Sequence, residues 1–84
     1  MSKYDPLFRY LSRLSDPADV TFTDVEEILG FPLPKSARRY AAWWSNSGGT
    51  HVQSQAWAAA GYRTEQIDLL SETIRFVPER VSAS

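Results

Sequence analysis

The chain has 84 residues, with nine basic and ten acidic side chains, one histidine and no cysteine, for a formal charge of −1. That length gives one small core, and the absence of cysteine excludes a disulfide framework and a thiolate metal site. No apolar stretch approaches the roughly 18 residues of a membrane span, and the start, Met1 to Pro6, lacks the basic and apolar regions of an export signal, so a cytoplasmic chain that enters no membrane is expected.

Tyr4 to Leu14 places Leu7, Phe8, Tyr10, Leu11 and Leu14 at near-helical spacing, with Pro6 acceptable in a first turn. Ser15-Asp16-Pro17 breaks this helix, and Val20-Thr21-Phe22 suits a short strand. Thr23 with Glu26 three residues on has capping-box spacing, and Gly30 supplies the stop of a second short helix. Phe31-Pro32-Leu33-Pro34 then fixes the chain direction. A third helix is predicted from Pro34 to Asn46, with Ala37, Tyr40, Ala41 and Trp44 as its inward stripe and Lys35, Arg39 and Trp43 along another. After the polar, glycine-containing break at residues 45–49, a further helix is expected from Val52 to Ala60, with Thr50 as cap and Gly61 as stop. Tyr62 to Leu70 and Thr73 to Val77 alternate with period two and read as a terminal hairpin.

Charge is sorted along this order. Residues 1–27 sum to −3, residues 28–64 to +4 without a single acid, and residues 65–84 to −2. The central segment also holds the only histidine and all three tryptophans. A local field of this kind guides an anionic partner even when the whole chain is near neutrality.

Helix, strand, helix, helix, extra helix and hairpin make an α+β, winged-helix-like order, in which the second and third helices form a helix-turn-helix and the hairpin is the wing. The domain is expected to run over residues 1–80, with residues 81–84 as a disordered tail.

Tyr4-Asp5-Pro6-Leu7, Phe22 to Gly30, Leu33 to Arg38, Ala42-Trp43-Trp44-Ser45-Asn46, Gln55-Ala56-Trp57, Ala60-Gly61-Tyr62 and Ile74-Arg75-Phe76 carry a likeness over nearly the whole chain. On these residues the chain resembles a family of small bacterial domains of unknown function. Its members occur alone and beside nuclease or restriction-like domains, which implies a link to DNA. The family pattern includes Ser36-Ala37-Arg38, the Trp-Trp-x-Asn at 43–46 and His51, and no catalytic residues come with it.

Read on their own chemistry, Lys35 and Ser36 lie where helix N–H groups suit a phosphate. Arg38 and Arg39 bring guanidinium groups able to grip guanine with two hydrogen bonds. Trp43, about 100° from Trp44 on a helix, is either packed beneath the following loop or exposed for a protein partner or an unstacked base. Trp57, among alanines, belongs in the core. Asn46, Ser47, His51 and Gln53 group around the glycine loop, with Asn46 as cap and His51 as backbone partner or the group as neutral DNA contacts. Arg63 and Arg75 are wing contacts or cross-strand partners of Glu65 and Glu72. Neither a carboxylate pair, a His-acid pair, a phosphate-binding glycine motif nor metal-ligand spacing is present, so no enzyme and no cofactor is expected. The expected function is double-stranded DNA binding, as a transcriptional regulator or as the recognition module of a phage, plasmid or defence system. The alternative is a protein-interaction adaptor using the Trp43 region. A homodimer would suit a module that touches few base pairs, although no heptad or other seam is visible.

Overall fold

Apolar residues one turn apart, Leu7 and Leu11, bury the inner face of α1 (Asp5–Ser12), with Pro6 in its first turn. The structure, a computed structural model, describes residues 2–46 and 52–79; Ser47, Thr50, His51 and the tail at 81–84 lie outside the described residues. Next come β1 (Ala18–Thr21), α2 (Phe22–Leu29), α3 (Lys35–Arg39), a 3-10 turn (Ala41–Trp44), α4 (Val52–Ala59), β2 (Tyr62–Asp68) and β3 (Thr73–Pro78). β3 is central in one antiparallel sheet of order β1-β3-β2, and the helices complete a small α+β fold. No helix among the described residues is long and apolar enough to cross a membrane.

Two predicted boundaries are corrected. The α2 capping box is formed by Thr21 and Asp24, not by Thr23 and Glu26: Thr21 Oγ1 accepts from the Asp24 N–H at 2.9 Å, and Asp24 Oδ2 accepts from the Thr21 N–H at 3.0 Å. Starting the helix there turns Phe22 wholly into the core and leaves the Glu26 carboxylate free for another task. Gly30 ends α2 as expected, at φ 85°.

The second correction concerns the long third helix. It stops at Arg39, because Tyr40 is extended at φ −129°, ψ 121°, and the chain restarts as the 3-10 turn. In an unbroken helix Ala37 and Trp44 would stand about 10 Å apart along the axis. The break instead folds Trp44 back, so that its indole N–H donates to the Ala37 carbonyl at 2.7 Å. That carbonyl is the one an N–H at position 41 would have taken in a continuing helix. Ala37 and Trp44 are buried as predicted, whereas Tyr40 and Ala41, assigned to the same stripe, face solvent.

Four aromatic rings run through the core. Phe22 stacks on Trp44 at 5.0 Å, Trp44 on Trp57 at 6.1 Å, and Trp57 tilts against Phe76 at 5.7 Å. This row joins α2, the 3-10 turn, α4 and β3, and offset aromatic contacts add to what area burial alone contributes. On the hairpin, strict alternation holds only to Glu65: a bulge between Glu65 and Asp68, with Gln66 at φ 51°, shifts the register. The tip is held by Asp68, whose Oδ1 accepts from the N–H groups of Leu70 and Ser71 at 3.0 and 3.1 Å.

Candidate nucleic-acid interface

The turn before α3 is built around Glu26. Its Oε2 accepts from the buried Leu33 N–H at 2.8 Å and from Arg38 Nη2 at 3.0 Å, tying α2, the proline turn and α3 together. These two donors hold the Glu26 carboxyl below the usual glutamate range, with the Leu33 N–H the larger cause. Arg38 Nη1 donates to Glu72 Oε2 at 2.7 Å, and its guanidinium lies 5.7 Å from the centre of the Phe22 ring. The carboxylates, Glu72 first and then Glu26, raise the Arg38 pKa further. Arg38 therefore sits between an acid from each flank of the acid-free segment, and as found its fork is engaged within the chain.

Lys35 and Arg39 are placed differently. Both are exposed on α3, one turn apart, and neither forms an ion pair with a described residue. Ser36 is half-buried between them, and its carbonyl accepts from the Tyr40 N–H at 2.9 Å. Since α3 has five residues, it offers a single turn rather than the three turns expected from Pro34 to Asn46.

Most of the other sequence-predicted residues are engaged in the fold. Trp43 packs partly buried, edge-on to Tyr4 at 6.1 Å and to Trp44 at 4.7 Å. Asn46 reaches across to β2, donating from Nδ2 to the Thr64 carbonyl at 2.9 Å and accepting the Thr64 N–H on Oδ1 at 2.8 Å. Gln53 is buried and donates to the Trp43 carbonyl at 3.2 Å. Arg63 pairs with Glu65 along β2 at 2.6 Å. Arg75 pairs with Asp19, its register partner on β1, at 3.0 Å, rather than with a hairpin acid. His51 lies outside the described residues. Tyr40 was not expected at the surface. Nothing in Arg39-Tyr40-Ala41 marks a helix break by composition; the break goes with the tertiary placement of Trp44, bonded to the Ala37 carbonyl and stacked with Phe22 and Trp57.

A family model described as a domain of unknown function, DUF7662, matches residues 4–78. The chain belongs to that family. The resemblance to an uncharacterised domain family, expected from the sequence, is borne out to this extent. No curated protein and no solved structure matches the chain. The DUF7662 span takes in every described element, from α1 to β3, and thus both the Glu26–Arg38–Glu72 node and the exposed cations of α3.

Proposed function

We propose that this DUF7662 chain is a winged-helix-like, double-stranded DNA-binding domain that approaches the duplex with α3 and has no catalytic role of its own. The observation that carries the reading is the pair Lys35 and Arg39, exposed and free of ion pairs with described residues on a helix inside an acid-free segment. Cations that are not already neutralised are the ones that release counterions from a phosphate backbone. The element order, with the first strand joined to the closing hairpin in one sheet, supports the winged-helix description. Arg38, with two carboxylates on its guanidinium, is reassigned from base reading to holding α3 in place, and Arg39 takes the base-reading role. Asn46 and Gln53 act as supports, and Arg63 and Arg75 offer charge to the backbone only after leaving their acids. Work beside a nuclease or restriction-like domain, as a recognition module in the cytoplasm, is the setting that fits this reading, with a homodimer as the means of lengthening a short site.

Fluorescence anisotropy with a labelled duplex of random sequence, at low and moderate salt, tests the reading. Binding that weakens with salt and is largely lost in a Lys35→Ala/Arg39→Ala variant of unchanged melting temperature is expected. A protein that ignores duplex DNA at low salt would leave the adaptor reading in its place.

A further inference from the structure

Tyr40 is the one aromatic residue among the described residues that is exposed, at 59% of its surface. Its backbone is nevertheless fixed. The Tyr40 N–H donates to the Ser36 carbonyl at 2.9 Å, and the Tyr40 carbonyl accepts from the Trp43 N–H at 3.1 Å. The side chain is thus held out at the joint between α3 and the 3-10 turn, while its hydroxyl bonds to no described residue. Its surroundings suit a flat, anionic ligand. The next two residues in the chain, Ala41 and Ala42, are small and exposed, Arg39 precedes Tyr40 directly in the chain, and Lys35 stands one turn before Arg39 on α3. Along the sequence no acid occurs between Ile28 and Thr64, and the two acids that pair with α3, Glu26 and Glu72, are both engaged by Arg38.

An exposed aromatic ring that follows exposed cations along the chain is able to take a base by stacking while phosphates meet the positive charge. A base inside an intact duplex offers no free face, so such a ring selects DNA in which a base is unpaired. We infer that Tyr40 is a stacking platform for an unpaired base, making this a domain that prefers duplex DNA with a bulged or unstacked nucleotide over fully paired duplex. This rests on the DNA-binding reading above and specifies its substrate class.

Three probes separate the two. They are a fully paired duplex, the same duplex with one bulged 2-aminopurine, and the corresponding single strand containing 2-aminopurine, each titrated with the full chain. The expected result is salt-dependent binding to all three. Binding should be about tenfold tighter for the bulged duplex than for the paired one, with 2-aminopurine fluorescence quenched on binding. Tyr40→Ala should remove the preference and the quenching yet keep the binding to paired duplex, and Tyr40→Phe should retain all of it. Equal binding to paired and bulged duplex, unchanged by Tyr40→Ala, would overturn this inference alone and leave the ring to a protein partner. Failure to bind any of the three probes at low salt would overturn the DNA reading and this inference with it.

Discussion

The side-chain amide of Asn46 pairs with the backbone of Thr64 as a neighbouring strand would, giving a hydrogen bond to its carbonyl and taking one from its N–H. The Thr64 hydroxyl in turn donates to the Trp44 carbonyl. The outer side of β2, away from its partner β3, is thereby closed at one position by a residue two places beyond the 3-10 turn, which removes two unpaired backbone groups from a sheet edge. Asn46→Ala leaves both groups without that partner beside a buried threonine. A loss of about 1–3 kcal/mol is expected, read by urea denaturation. Asn46→Asp should also destabilise, because a carboxylate cannot donate to the Thr64 carbonyl.

Trp44 and Trp57 are equally buried, each with 1% of its surface exposed, but only one of them uses its polar atom. The Trp44 N–H is bonded to Ala37, whereas the Trp57 N–H has no partner among the described residues. Replacing Trp44 by Phe removes ring volume and a hydrogen bond, while replacing Trp57 by Phe removes ring volume and an unsatisfied donor. The Trp44→Phe variant should therefore be less stable than Trp57→Phe by about 1–2 kcal/mol. Far-UV circular dichroism is the appropriate probe, since both changes alter the tryptophan fluorescence.

Arg38 and Arg39 are neighbours in sequence with opposite roles. Arg38→Ala removes the partner of Glu26 and Glu72 and should cost about 1 kcal/mol, a modest figure because all three side chains remain partly solvated. Arg39→Ala should stay within about 0.5 kcal/mol of the parent. Thermal melts of the two variants make the comparison, and a binding defect in Arg38→Ala has meaning only after the lost stability is taken into account.

The lowered pKa of Glu26 fixes the sign of one pH effect. A carboxyl whose folded pKa lies below its unfolded value contributes stability at neutral pH, and this is lost as pH falls from about 4.3, the ordinary glutamate value, through the lower folded value. Denaturation midpoints should thus fall on acidification in that window. In Glu26→Gln the fall should be shallower, with the neutral-pH stability already reduced.

What the sequence disclosed about this fold was mainly local. Gly30 and Gly61 stop their helices at φ 85° and 81°, where glycine escapes the cost of a Cβ, and Trp57 among alanines lies in the core. The break at Tyr40 was hidden, because it goes with Trp44 folding back onto Ala37 rather than with a proline or glycine. Segment charge was equally blind to partners: Arg38 looked like a free cation, yet Glu26 from one flank and Glu72 from the other, 34 residues beyond it, meet on its guanidinium. Spacing sets Lys35 and Arg39 on a stripe apart from Ala37 and Trp44, and both are exposed, although on a single turn rather than the long helix the sequence predicts.

The most direct test of the role given to α3 is the salt dependence of duplex binding, measured side by side for the parent chain and Lys35→Ala/Arg39→Ala. On a duplex of random sequence each of the two cations meets a phosphate, so removing both should make the slope of log K against log salt shallower by about two. An unchanged slope, or no binding by the parent at low salt, would contradict the assignment of α3 as the DNA-contacting element.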